Sequence, residues 1–356
     1  MSISMVDTLT AMQVPDGNPV ELIELSNVNG MVIGVLDVGA TWVSCKVPLD
    51  GEPDGCREVL LGCLDYTKQV SYMGATVGRY ANRIKAGQFS IEADTYQLAL
   101  NQAGNTLHGG SDGFDKRRWQ VLAQGVSFVE LKLCSADGDQ GFPGNLTVIT
   151  RYDLTDDNEV VISYRATTDS PTVVNLTNHA YFNLLGAESG QDCLGHRLMV
   201  NADQFLPSDE KGIPLGELQS VVGTSFDFNE SKRIDTHWMQ DEHQQRAKGY
   251  DHSFLLNHDG LDDRPVAYVH SPDGALTLQV FSNKPAMQLY TGNYLAGTPN
   301  RSKGCYTDYA GFALETQFLP DSPNHPEWPQ PSCILQPDQE YWYTTSYRFD
   351  ISGEES

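Results

Sequence analysis

Two short stretches of the sequence hold side chains suited to moving protons. The first runs Asn175-Leu176-Thr177-Asn178-His179-Ala180-Tyr181-Phe182-Asn183-Leu184. Read as a strand, it places Leu176, Ala180, Phe182 and Leu184 on one face, interrupted by Asn178, and Asn175, Thr177, His179, Tyr181 and Asn183 on the other. A face so rich in hydrogen-bonding groups must meet water or a polar ligand, because each group buried unpaired costs roughly 1–3 kcal/mol. An ordinary solvated face is one reading. A cleft for a polar ligand such as a sugar is the other, with His179 able to gain or lose a proton near neutrality. The second stretch, Gly311 to Phe318, sets Glu315 and Gln317 on one face and Phe312 and Leu314 on the other. Glu315 is either a charge that keeps an edge strand from aggregating or a desolvated carboxylate raised toward the range of a general base.

Two further segments offer ligands for hydroxyl groups. Asn105-Thr106-Leu107-His108-Gly109-Gly110 pairs His108 with glycines that let backbone approach a ligand, or is a tight loop with an incidental histidine. Gly78-Arg79-Tyr80-Ala81-Asn82-Arg83-Ile84 supplies two guanidinium groups and an amide, for sugar hydroxyls or for structural ion pairs. Asp251-His252 has no His-x-x-x-His or His/Cys cluster at ligand spacing beside it, so no metal site is expected. Gly74-Ala75-Thr76-Val77-Gly78 lacks the Lys-Ser/Thr of a P-loop and the spacing of a dinucleotide loop. No cofactor is expected.

The elements that must position these groups are strands. Val129, Leu131 and Leu133 alternate with Glu130 and Lys132, and the same period of two recurs from Leu146 to Tyr152, in Ile162, Tyr164 and Ala166, in Leu276, Leu278 and Val280, and from Tyr341 to Phe349. Turn signals at Ala136 to Asp139, Thr155 to Asn158 and Pro272 to Gly274 separate them. The pattern predicts an all-β antiparallel sandwich. Helical signal is weak, the best being Asp235 to Lys248, and no βαβ alternation supports a Rossmann-type fold. Gly186 to Gly249, rich in polar residues and glycine, is expected to form extended loops over the sandwich. No repeat or linker divides the chain, so residues 1–356 are expected to form one domain with 1–20 and 351–356 as terminal extensions.

Composition narrows the partners. The 356 residues include 23 Lys and Arg against 47 Asp and Glu, a formal net charge of −24, whose field repels nucleic acid and anionic membrane. Without a basic, apolar leader or a membrane-length apolar run, the protein is expected in the cytoplasm. The 7 cysteines, Cys45, Cys56, Cys63, Cys134, Cys193, Cys305 and Cys333, form no CxxC pair and are expected to be free, mostly buried thiols. The Asn-x-Ser/Thr triplets at Asn145, Asn175, Asn229 and Asn300 are expected to be coincidental.

Several stretches, in this order, resemble the aldose 1-epimerase (galactose mutarotase) family. They are GRYANRI (78–84), LHGG (107–110), DGDQGFPGNL (137–146), NLTNHAYFNL (175–184), YDHSF (250–254), QLYTGN (288–293) and ALETQFLPDSPNHPEWP (313–329). The resemblance runs from about Gly39 to Phe349 and implies a large antiparallel β-sandwich with an open sugar-binding cleft. By the same resemblance His179 matches the family's proton donor and Glu315 its proton acceptor, while Asn82, Arg83, His108, Tyr181, Asp251 and Gln288 match positions that contact the sugar. Ala180, where Ser is frequent, and Leu289, where an aromatic residue is common, depart from the pattern without touching the acid or base. The implied partner is a small aldose, and the chain is expected to be a monomer or weak homodimer. Three rivals remain: an enzyme for phosphorylated hexoses, which would need a basic pocket, a glycoside hydrolase using Asp251 as a second carboxylate, and a non-catalytic sugar-binding module.

Overall fold

The computed structural model describes residues 16–52, 54–63, 71–257 and 264–351; most of the expected terminal extensions lies outside them. The alternating segments form a nine-stranded antiparallel sheet, in the order Gln120–Gln124, Phe128–Ser135, Leu146–Leu154, Glu159–Thr168, Tyr341–Ile351, Leu276–Ser282, Ala267–His270, Arg197–Val200 and Lys232–Arg233. The three expected turns close its hairpins, with Gly138, Asn158 and Gly274 in the left-handed region at φ 79°, 56° and 72°. Every second residue points inward, so Val129, Leu131, Val148, Ile162, Leu278, Val280 and Phe349 are buried.

A five-stranded antiparallel sheet packs on that inner face, in the order Gln219–Ser220, Gln204–Leu206, Asp251–Leu255, Ala286–Tyr290 and Ala313–Gln317. The layers are joined by Tyr347 Oη donating to Leu314 O at 3.1 Å, by the Thr316 and Thr345 hydroxyls, and by the rings of Phe318 and Tyr343. Because Leu314 and Thr316 turn toward the large sheet, Glu315 turns away from it. A four-stranded sheet, Leu22–Ser26, Val32–Leu36, Thr41–Pro48 and Cys56–Glu58, closes one flank, with Trp42 against Phe182 and Tyr347.

Two expectations need correction. Gly186 to Gly249 is not only loop: Arg197–Val200 and Lys232–Arg233 extend the large sheet, and Gln204–Leu206 and Gln219–Ser220 extend the smaller one. Only part of Asp235 to Lys248 is helical, Glu242–Ala247, which begins where the Asp241 side chain accepts from the His243 N–H and ends at left-handed Lys248. None of the seven cysteines is in a disulfide; Cys45, Cys63, Cys193 and Cys333 are buried, Cys134 and Cys305 exposed. No helix among the described residues is long and apolar enough to cross a membrane.

Three buried histidines each accept a backbone N–H at a ring nitrogen: His108 Nδ1 from Asn82, His196 Nε2 from Leu184 and His252 Nδ1 from Asp251. Such a ring must stay neutral. Burial holds His108 well below the usual histidine range and His196 and His252 down to about 4. Between the ordinary value near 6.5 and those depressed values the unfolded chain binds more protons than the folded one, so stability falls as pH falls. Thermal unfolding is expected at a lower temperature at pH 5 than at pH 7, and replacing His196 by Gln should reduce that difference. An unchanged melting temperature across this window would contradict the neutral assignment.

Candidate active site

Register brings the groups of the smaller sheet together. Ser253, Gln288 and Glu315 stand opposite one another on three adjacent strands, and Asp251 stands opposite Tyr290. The Ser253 hydroxyl donates to Gln288 Oε1, and Gln288 Nε2 donates to Asp251 Oδ1 at 2.6 Å. Asp251 Oδ2 then lies 3.8 Å from the Arg83 guanidinium. Ala313–Gln317 is an edge strand of its sheet, yet Glu315 does not serve as a solvated edge charge, since it is 2 % exposed and lies inside the cleft.

His179 arrives from a different direction. Thr177–Asn178 pairs with Thr76–Val77, and the ladder continues as the His179 N–H donates to Ala75 O at 2.9 Å and His179 O accepts from the Gly74 N–H at 2.8 Å. Gly74 has φ +70°, and a Cβ there would lie 1.9 Å from Trp42 O, so this close approach demands glycine. The strand expected from Asn175 to Leu184 is therefore a two-residue strand followed by an extended, wholly buried run. Its polar face is not a solvated face. Asn175 caps Ala81 O and the Phe318 N–H, and Asn183 caps Gln191 O and Ala310 O; His179 and Tyr181 face the cleft.

Arg83–Ile84 pairs with Thr106–Leu107, which sets Asn82 beside His108. The Asn82 peptide accepts from the His108 N–H at 3.0 Å and donates to His108 Nδ1 at 3.1 Å. Both residues hold left-handed backbones, φ 64° and 49°, a strain characteristic of functional sites. The glycines after His108 serve the loop rather than a ligand: a Cβ on Gly109 would lie 1.9 Å from Gly78 O. The two guanidinium groups separate. Arg83 lines the cleft and donates to Gln102 Oε1 at 3.0 Å. Arg79 is buried elsewhere, bonded to the carbonyls of Ser135 and Ala136 just before DGDQGFPGNL and of Pro143 and Gly144 within it, so this hairpin connection is a structural receptor for it.

The result is a cleft of about 450 Å³ that includes Asn82, Arg83, His108, His179, Tyr181, Asp251 and Glu315 in its wall. Gln288 is not among the lining residues and is bonded to Asp251, which is. Tyr72, Gln102, Tyr290 and Tyr294 also line it and were not expected from sequence. Tyr290 was within reach of the period-two argument, two positions from Gln288 on one strand; Tyr72 opens a turn that no pattern announces.

At the floor His179 Nε2 lies 3.5 Å from Glu315 Oε1. Burial disfavours charge on both: the imidazole is pushed down to about 4 and the carboxyl is raised well above its usual range, further by Asp251 and against the pull of Arg83. Apart from that contact, His179 Nδ1 and Glu315 Oε2 are buried without a partner. The pair can hold one proton in two ways, as neutral acid with neutral imidazole or as carboxylate with imidazolium, and burial favours the first.

His108, His179 and Glu315 also bring one potential ligand atom each within 4.8 Å of one another, a set of residue types found around transition metals. The His108 ring does not fit. With Nδ1 accepting from the Asn82 N–H, the neutral ring carries its proton on Nε2 and presents a donor instead of a lone pair. Two ligands remain, fewer than the three protein ligands usual for catalytic zinc.

A family model described as aldose 1-epimerase matches residues 21–348. The aldose 1-epimerase of Escherichia coli (strain K12) is 50% identical over 339 residues, covering 94% of this chain and 96% of that protein. The galactose mutarotase of Homo sapiens is 40% identical over 342 residues, covering 94% and 96%. Among solved structures, galactose 1-epimerase from Lactobacillus acidophilus NCFM aligns with a TM-score of 0.82 at 32% identity, over 96% of this chain and 97% of that one. An aldose epimerase homologue from C. elegans aligns with a TM-score of 0.84 at 27% identity, over 93% and 99%. The antiparallel sandwich expected from the alternation is thus the architecture of these proteins.

Proposed function

The chain belongs to the aldose 1-epimerase family, and from that premise we propose that His179 and Glu315 are the acid and base with which it interconverts the α and β anomers of free hexoses such as galactose and glucose. The observation that carries the assignment is their contact at 3.5 Å on the floor of a polar cleft. Opening a pyranose removes the proton of the anomeric hydroxyl and adds one to the ring oxygen, and either step alone leaves a high-energy ion. A base and an acid acting together avoid both ions. Glu315 takes the hydroxyl proton while protonated His179 supplies the ring oxygen. The open aldehyde then coexists with the neutral form of the pair, the form that burial favours, so opening relieves the cost of the buried charges. Rotation about the C1–C2 bond presents the other carbonyl face, and closure reverses both transfers. Transfer across the 3.5 Å contact interconverts the two forms of the pair without changing the net charge of the cleft.

We assign Asn82, Arg83, His108, Tyr181 and Asp251 to the sugar, and Gln288 to holding Asp251. His108 offers an Nε2–H donor, and half-buried Asp251 is the acceptor of the network that reaches the cleft. We further read the whole chain as one domain, a reading supported by the apolar cluster that extends from Ile23 to Phe349, acting in the cytoplasm as a monomer or weak homodimer.

The substrate is expected to be unphosphorylated. Among the described residues lining the cleft, Arg83 is the only Lys or Arg, and it is already engaged by Gln102 and faces Asp251. A phosphate dianion would call for more basic groups. Polarimetry should give a catalytic efficiency for galactose at least about tenfold above that for galactose 6-phosphate, a gap of about 1.4 kcal/mol. A preference for the phosphate ester would move the chain to the rival enzyme class.

A further inference from the structure

A histidine that exchanges protons usually has one ring nitrogen fixed by a hydrogen bond so that the other is aimed. His179 lacks that device: Nδ1 has no partner, and Nε2 makes only the 3.5 Å approach to Glu315. Aromatic rings surround the imidazole instead. Tyr181 stacks on it at 4.8 Å with planes 23° apart, and Tyr72 lies nearly parallel at 6.0 Å and 16°. His108 and Tyr290 meet it edge-on at 5.4 and 6.5 Å.

We propose that Tyr72 and Tyr181 are positioning residues for the epimerase reaction, whose rings, rather than hydroxyls, hold the His179 imidazole at the angle from which it exchanges its proton. Both are tied to the backbone that presents His179. Tyr72 adopts φ 57° and its carbonyl accepts from the Ala75 N–H at 2.9 Å, closing a turn whose Gly74 and Ala75 then pair with His179. Imidazole and Tyr72 ring are thus carried by the two sides of one short ladder. Tyr181 is two positions beyond His179 in the extended run, so the side chains share a face. Its carbonyl accepts from the Leu61 N–H at 2.9 Å, and its ring is packed among Leu61, Met73, Leu295 and Ala313. Parallel rings restrict rotation of an imidazole about its χ2 without competing for its proton, and their π faces favour the imidazolium when it forms.

The inference rests on His179 being the acid, so its test separates the two claims. Tyr72→Phe keeps the ring and should retain kcat within about threefold, and Tyr181→Phe should lose less kcat than Tyr181→Leu. Tyr72→Leu should lower kcat by about 10- to 100-fold with KM changed less than threefold, Tyr181→Leu should lower kcat by as much while also raising KM because it faces the sugar, and neither should cost further kcat in a His179→Asn background. Active His179→Asn would overturn the acid assignment. With His179→Asn inactive, the positioning role alone is overturned if the Phe variants lose as much as the Leu variants, if the Leu variants raise KM at constant kcat, or if their losses persist without His179. Melting temperature identifies any variant that fails to fold. Should that be Tyr181→Leu, Tyr72→Leu at the half-buried rim decides the matter by itself.

Discussion

Glu315→Gln is expected to lower kcat by roughly 10²- to 10⁴-fold, the range for loss of a positioned general base, while sugar affinity changes much less. Gln reproduces the shape of the carboxyl but cannot accept the anomeric proton. The fold should tolerate it unusually well, because burial already disfavours the charged form of Glu315, and its Oε2 bonds nothing that substitution would strand. Gln should therefore melt within a few degrees of the parent. Glu315→Asp is the informative companion: it keeps the carboxyl but draws it back by one methylene from a contact of 3.5 Å, so it should fall between the parent and Gln. Initial rates from polarimetry on freshly dissolved α-D-galactose, with equilibrium sugar binding on the same samples, separate lost chemistry from lost binding.

His179→Asn is expected to produce a loss of the same order, for the complementary reason that the ring oxygen no longer receives a proton. Because Nδ1 has no partner, removal of the imidazole costs only the 3.5 Å contact with Glu315 Oε1, and the structural penalty is mainly the cavity left among Tyr181, Tyr72 and His108. That penalty should appear as a lower melting temperature and not as a changed KM. If His179→Asn instead raised KM strongly while leaving kcat near normal, the imidazole would be a sugar ligand, and the proton would have to come from another group such as His108 or Asp251.

Most of the sandwich was legible because its central strands bury one face only, and a half-buried strand writes its geometry as a period of two. Phe128–Ser135, Leu146–Leu154 and Glu159–Thr168 all alternate inward and outward residues, and the turns between them carry residues that tolerate positive φ. The rule weakened where both faces are covered. Asn175 to Leu184 is buried on every side, so its polar residues could not be sorted by pattern into backbone caps, such as Asn175 and Asn183, and cleft residues, such as His179. The same limit applies to the arginines: Arg79 and Arg83 are four positions apart in one motif, and only the three-dimensional path of the chain sends one into a cage of carbonyls and the other into the cleft. The cleft itself is assembled from seven separate stretches, around Tyr72, Asn82, His108, His179 and the Asp251, Gln288 and Glu315 strands. No local spacing relates them, and the family resemblance supplied what periodicity could not. Tyr72 and Gln102 fell outside its motifs and entered only with the structure.

The account stands or falls on whether His179 and Glu315 are two ends of one concerted transfer. The decisive measurement is the initial mutarotation rate of the His179→Asn/Glu315→Gln double variant against each single variant, on α-D-galactose, with folding verified by thermal unfolding. Concerted action predicts a double variant close to the slower single variant, since once one transfer fails its partner has little left to do. Losses that multiply would show two groups acting independently, and near-normal rates in the well-folded single variants would show that the acid and base lie elsewhere.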